Sequence, residues 1–368
     1  MRHLLLWAVL AFHLPLPAAE RWELQYFYDK SDSTLSFTDF QFLSATEGVA
    51  AGLILEADRR PKPVLALTSD GGRSWNFVPL KETATSLFFL NPRTGWMVSD
   101  RDRLWTTTDG GRTWTRDPLT GLRAKPIRIY FRDPSRGWLL CHAKQAYQTS
   151  DGGRSWQLLP DFEAKLPELS SHYTRAAAFR QTVLLTGYMR PSSPRSRFPV
   201  WMEPDLAALG IAPTTTFLLA STDGGADWKR YVLPNFGEIK RLSLSSGTTA
   251  FLLVHRLDSF AKPTNILELT LTTLGARGVY ADKNRWITDI AFAGPGRLFA
   301  VALDQEGRTA HPAIPTKLRV LASPDGRSWR EMEVDYRAEA RQALLASPDA
   351  DHAWIATDTG MILRWVKE

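Results

Sequence analysis

Five aspartates recur in near-identical surroundings, and carboxylates so placed could serve as acids, bases or ligands. They stand in Thr68-Ser-Asp70-Gly-Gly72-Arg-Ser-Trp75, Thr107-Thr-Asp109-Gly-Gly111-Arg-Thr-Trp114, Thr149-Ser-Asp151-Gly-Gly153-Arg-Ser-Trp156 and Ser221-Thr-Asp223-Gly-Gly225-Ala-Asp-Trp228. A fifth copy, Ser323-Pro-Asp325-Gly326-Arg-Ser-Trp329, lacks one glycine. Asp-Gly and Gly-Gly steps supply the positive φ of a tight turn between strands. The hydroxyl and the carboxylate can bond the loop's own backbone. These aspartates therefore read as loop formers, with the tryptophan opening the next strand.

Other groups stand outside this pattern. Arg190, Arg195 and Arg197 cluster with no acid between them, and Phe198, Val200, Trp201 and Met202 follow directly. Arginine beside aromatic side chains is the composition of protein-binding hot spots. Arg59, Arg60, Arg101 and Arg103 fall in two short charged loops. Glu203 and Asp205 read as helix-start residues, not a glycosidase pair. His142, His172, His255, His311 and His352 show no metal-ligand spacing, and Cys141 is the only cysteine. A disulfide within the chain and a cysteine-based zinc site are thereby excluded. No Gly-x-Ser-x-Gly, His-Glu-x-x-His, phosphate-binding loop or EF-hand occurs. The expectation is a chain with no cofactor, no metal and no catalytic residues.

The elements follow from the repeat. Leu87-Phe-Phe-Leu-Asn-Pro-Arg-Thr-Gly95-Trp96 matches Ile129-Tyr-Phe-Arg-Asp-Pro-Ser-Arg-Gly137-Trp138, each a strand, a turn and a strand upstream of a box. Looser copies begin at Phe40 and Ala343. Each unit then holds four strands. The aspartates are spaced 39, 42, 72 and 102 residues apart. The third interval carries an insertion at about residues 189–215, and the fourth has room for two units. The count predicts an all-β, seven-bladed β-propeller of four-stranded antiparallel blades, one domain over residues 20–368. The N-terminal strand, Trp22 to Tyr28, is expected to pair beside Ile362 to Val366 and close the ring, removing open sheet edges.

The repeated motif resembles the Asp-box, or BNR repeat, which implies a propeller with the box between the third and fourth strands of a blade. The whole chain resembles the photosystem II stability and assembly factor group of exported propellers in box density, Gly-Trp second strands and leader. That resemblance implies a non-catalytic scaffold that binds a membrane-protein precursor partly through an arginine-rich surface. Sialidases share the boxes. They imply three arginines on a substrate carboxylate, a Tyr–Glu pair and an Asp acid. Their Arg-Ile-Pro signature is absent before the first box, where Asp58-Arg59-Arg60-Pro stands. A sialidase-like glycoside hydrolase, or a glycan- or peptide-binding propeller, is the alternative.

Composition sets the remaining bounds. The chain has 368 residues, 44% hydrophobic and 23% charged, with a formal net charge of +6 and 14 tryptophans. That is the composition of a packed globular protein. Residues 1–19, MRHLLLWAVLAFHLPLPAA, have a basic start, a short apolar run and small residues, the pattern of a secretory signal peptide. The run is too short to span a bilayer. An exported protein of mixed charge is expected to bind an envelope or membrane protein, with a glycan possible and no nucleic acid. The expected binding surface is the face opposite the boxes, carrying Arg59, Arg60, Arg101, Arg103 and the insertion residues Arg190, Arg195, Arg197, Phe198 and Trp201.

Overall fold

The computed structural model describes residues 20–57, 59–119, 121–142, 145–160, 169–191, 215–233, 237–256, 262–273, 275–304, 316–335 and 337–367. Strand β1 is Glu20–Phe27. The first blade holds β2 (Ser33–Phe42), β3 (Gly48–Glu56), β4 (Lys62–Thr68) and β5 (Asn76–Pro79). The second holds β6 (Ala84–Phe89), β7 (Gly95–Ser99), β8 (Leu104–Thr107) and β9 (Thr115–Asp117). The third holds β10 (Pro126–Phe131), β11 (Gly137–Cys141), β12 (Ala146–Thr149) and β13 (Gln157–Leu158). Next come β14 (Leu169–Phe179), β15 (Thr182–Pro191), β16 (Thr215–Ser221) and β17 (Lys229–Leu233). The stretch without a box forms β18 (Gly237–Leu244), β19 (Thr249–Arg256), β20 (Thr264–Thr270) and β21 (Gly275–Asp282). The chain continues as β22 (Arg285–Gly294), β23 (Arg297–Asp304), β24 (Leu318–Ser323), β25 (Arg330–Val334), β26 (Ala343–Ala346), β27 (Trp354–Thr357) and β28 (Met361–Lys367).

The sheets correct the expected count of seven four-stranded blades. Hydrogen bonding gives five four-stranded blades, β2–β5 through β18–β21, and one continuous eight-stranded sheet in the order β22-β23-β24-β25-β1-β28-β27-β26. The cause is β1. It pairs antiparallel with β28 from Glu20↔Lys367 to Phe27↔Met361, the partner expected from the sequence. It also pairs in parallel with β25 at Arg21↔Glu333 and Trp22↔Val334, which the sequence did not announce. The ladder therefore runs on without a break where a boundary was expected. The first strands β2, β6, β10, β14 and β18 and the two end strands β22 and β26 lie against one another in chain order, and β26 returns to β2.

Burial explains the strand sequences. Second strands such as Gly95–Ser99 and Gly137–Cys141 are buried along their whole length, so they read as unbroken apolar runs, while the outer β9 is largely exposed and polar. Apolar clusters lie between neighbouring sheets, and one fills the space between the two halves of the eight-stranded sheet. One joins Trp96, Val98 and Leu104 to Ile129, Phe131 and Leu139. At the closure another joins Leu35, Phe42 and Val64 to Trp354, Ala356 and Ile362. The Gly-Trp pairs have a steric origin. A Cβ at Gly95 or Gly137 would sit 2.7–2.9 Å from the ring of Phe89 or Phe131. The tryptophan that follows Gly95, and Trp354 after Ala353, reach the next blade. Trp96 stacks on Phe131 at 3.6 Å, and Trp354 stacks on Phe42 at 3.6 Å while donating to Gly71 O.

In the first box Asp70 Oδ1 accepts from Thr68 Oγ1 at 2.8 Å and from the amides of Arg73 and Ser74. Its Oδ2 accepts from Ser74 Oγ at 2.6 Å. Trp75 folds back and donates Nε1 to Gly72 O. Asp109 and Asp151 repeat the arrangement with Thr113 and Ser155. The Ser74, Thr113 and Ser155 hydroxyls, then their amides, hold Asp70, Asp109 and Asp151 down at about 2. For Asp325 the Ser328 and Arg327 amides do the same. A depressed carboxylate stabilises the fold fully above its unfolded value of about 3.9, and that contribution is lost as pH falls toward 2. The urea midpoint is therefore expected to drop between pH 4 and pH 2, and to drop less in Asp70→Asn/Asp109→Asn. Equal slopes in the two proteins would contradict this assignment.

Candidate functional site

Two faces of the molecule are fixed by backbone bonds. The boxes join the turns after the first strands, through Gly110 N to Arg93 O and Gly152 N to Ser135 O. On the opposite face, Asp100 N to Thr83 O and His142 N to Lys125 O tie the loops between second and third strands to the starts of β6 and β10. Arg59 and Arg60 lie in the β3–β4 connection, and Arg101 and Arg103 in the β7–β8 connection, all on this face.

Three of these four loop arginines stand against carboxylates. Arg59 Nη1 lies 3.0 Å and Lys62 Nζ 2.6 Å from Glu56. Arg103 is bound to the buried Glu82, and Arg101 Nε approaches the same carboxylate at 3.9 Å. Ser99 Oγ and Trp105 Nε1 also donate to Glu82, at 2.6 and 3.0 Å. Burial would raise this carboxyl, but those two bonds and the Arg103 charge outweigh it and hold it below the ordinary range. Arg103 thus anchors its loop, whereas Arg60 is exposed. The backbone of Arg190 pairs with Ser170 in β14–β15. Its side chain, and Arg195, Arg197, Phe198 and Trp201, lie outside the described residues, as does the leader.

The strongest convergence of charge is on the axis. Every first strand from β2 to β22 has a register irregularity against its second strand, between Phe37/Asp39, Ala84/Ser86, Pro126/Arg128, Tyr173/Arg175, Ile239/Arg241 and Ile287/Asp289. Such bulges re-aim side chains. The residue after each bulge is polar and reaches across to another first strand. Asp39 Oδ2 accepts from Leu87 N at 2.9 Å, Ser86 Oγ from Ile129 N at 3.3 Å and Asp289 Oδ2 from Leu345 N at 2.8 Å. First strands are sheet edges, so these groups satisfy backbone amides that have no strand partner.

Three of the six are arginines. Arg128 Nη1 donates to Thr85 O at 2.8 Å and lies 3.9 Å from Asp39. Arg241 Nε pairs with Asp289 at 2.7 Å, and its Nη2 donates to Leu345 O at 3.2 Å. Arg175 donates Nε to Lys240 O at 2.5 Å and Nη1 to Thr174 O at 2.8 Å. Among the described residues no carboxylate lies within ion-pair distance of Arg175. The side chains of Arg128 and Arg241 keep 31% and 30% of their surface, so solvent reaches them, while Asp289 keeps 3%. Burial, then the charges of Arg128 and Arg241, pull Arg175 down to about 9. Burial lowers Arg128 and raises Asp289, with Arg241 opposing the latter.

Three other titratable groups on these blades are bonded to the backbone or buried. His255 Nε2 bonds Ile287 O at 2.8 Å, and burial drops it to about 4. Tyr130 is bonded both ways to the Ala178 backbone and raised by burial. Cys141 is fully buried and pushed up to about 12. Among the described residues no three His, Cys, Asp or Glu side chains are placed to hold a metal ion.

Sequence reasoning missed Arg128, Arg175 and Arg241. A signal was present. In the first-strand repeat, Asp39, Ser86, Arg128, Arg241 and Asp289 stand three residues before Phe42, Phe89, Phe131, Leu244 and Phe292. A polar residue recurring in one column of an apolar strand marks a position that does not face the core.

Residues 73–167 match the sequence family of the photosynthesis system II assembly factor YCF48. Among solved structures, one of YCF48 bound to a D1 peptide is 16% identical, with a TM-score of 0.59 and 96% of each chain covered. YCF48 from Cyanidioschyzon merolae is 14% identical, with a TM-score of 0.59 over 94% of this chain and 98% of that one. The β-propeller domain of the trilobed protease from Pyrococcus furiosus, 8% identical, gives 0.55 over 91% and 95%. No curated protein matches the chain. The chain is an Asp-box β-propeller similar to the YCF48 group.

Proposed function

We propose that this Asp-box propeller is a non-catalytic scaffold that holds a segment of another protein. The match of residues 73–167 to the YCF48 family carries the reading, and the propeller fold agrees with it over nearly the whole chain. One solved relative has a D1 peptide bound. The arginines at the axis, beside a neutral histidine and an inert thiol, suit capture of a charged segment better than proton transfer. In this reading residues 1–19 direct export and the partner is an envelope or membrane protein. The face opposite the boxes is the binding face, with Arg190, Arg195, Arg197, Phe198 and Trp201 of the insertion beside Arg59, Arg60, Arg101 and Arg103.

Affinity capture from an envelope extract tests this, comparing residues 20–368 with an Arg190→Glu/Arg195→Glu/Arg197→Glu variant by mass spectrometry. The expected result is one or a few proteins enriched at least tenfold by the parent and lost with the variant. Equal recovery by both would remove the insertion from the site. Hydrolysis of a sialoside would replace the scaffold reading with a glycosidase.

A further inference from the structure

We propose that the axial arginines form a binding site for a single carboxylate, with Arg175 as its principal donor; the proposal rests on the reading of the protein as a binder of peptide segments. Arg128, Arg175 and Arg241 bring three positive charges to the channel, and Asp39 and Asp289 return two negative ones. The sum matches a monoanion. Arg241 is committed to Asp289 at 2.7 Å and Arg128 faces Asp39 at 3.9 Å. Arg175 has only carbonyl partners, on Nε and Nη1, which leaves Nη2 of a planar fork for an incoming acid. A guanidinium held in place by carbonyls is already oriented, so little side-chain entropy is lost when a ligand arrives.

The chemistry favours carboxylate over phosphate. The free Nη2 of Arg175 offers charge-assisted N–H donors to a carboxylate, whose charge is the one the axis leaves unbalanced. A phosphate dianion would exceed the local charge and face the Asp39 carboxylate. Beyond burial, the charges of Arg128 and Arg241 lower Arg175, and one bound negative charge would relieve that repulsion. The carboxylate can come from the C-terminus of a peptide or from a small free acid, and the two are separable.

The test uses residues 20–368 with 15N-labelled arginine, following the Nε–Hε signals by NMR. The probes are N-acetyl-Ala-Ala as free acid, the same dipeptide as amide, acetate and inorganic phosphate. The expected result is a saturable shift of the Arg175 signal by the free acid, at least tenfold weaker binding of the amide, and loss of the response in Arg175→Gln. Arg175→Lys, which keeps the charge but loses the carbonyl bonds that orient the guanidinium, should weaken the acid by about tenfold. Equal binding of acid and amide, or tighter binding of phosphate, overturns the proposal. Should Arg175→Gln fail to fold, the acid–amide comparison on the parent protein decides alone. Acetate binding as tightly as the dipeptide acid upholds the carboxylate site and removes the peptide reading. Capture of a partner with no change in the arginine signals does the reverse.

Discussion

Removal of residues 20–30 is expected to lower the melting temperature by at least about 10 °C. Strand β1 joins β25 to β28 and so makes one ladder of the two halves of the eight-stranded sheet, which are otherwise bridged at Lys317 and Glu339. Trp22 is 1% exposed, packs edge-on against Phe299 at 5.5 Å and donates to Met332 Sδ. Gln25 Oε1 accepts from Trp354 Nε1 at 3.1 Å, and Tyr28 meets Phe77 of the first blade at 6.0 Å. The strand thus welds the last sheet to itself and to the first blade. Deleting a buried tryptophan alone costs about 3–5 kcal/mol. At roughly 2 °C per kcal/mol, Trp22→Ala should fall by about 6–10 °C, and the truncation by more. Calorimetry on the three proteins decides; an unchanged melting point after truncation would show that the closure is dispensable.

Asp289→Ala should destabilise the fold by about 3–5 kcal/mol, the range for stripping one partner from a buried ion pair. The carboxylate keeps 3% of its surface. It takes Arg241 Nε at 2.7 Å and the amides of Ile290 and Leu345 at 2.8 Å each. Alanine leaves the Arg241 Nε and the two amides without the acceptor they share. Asp39→Ala should cost less, about 1.5–3 kcal/mol, the loss of a hydrogen bond to a charged group. Its side chain keeps 21% of its surface, and Arg128 stands at 3.9 Å, where water can replace it. Urea titrations of both variants test the contrast, and equal losses would show that the axial charges do not differ as their burial implies.

The propeller was legible because its signals are local. The Asp-Gly turns, the Gly-Trp steps and the box tryptophans each act within a few residues of themselves, so their spacing marks the units directly. The β1–β28 pairing was legible for a related reason: a last unit ending on its third strand needs a fourth. The parallel contact of β1 with β25 was not, because two residue pairs between distant segments leave no pattern in either. Loop arginines such as Arg103 drew notice by standing in charged runs, but its buried partner Glu82 lies 21 residues away. Arg128, Arg175 and Arg241 went unseen for the opposite reason. Each stands in a first strand, and only the bulge register brings them to one axis.

Hydrogen–deuterium exchange of the protein, free and with the partner recovered by affinity capture, tests the scaffold account most directly. The account predicts slowed exchange in the first-strand segments 84–89, 126–131, 169–179 and 237–244 and in the insertion 189–215. Protection confined to the box loops 68–75, 107–114 and 149–156 would contradict it, because those loops lie on the other face.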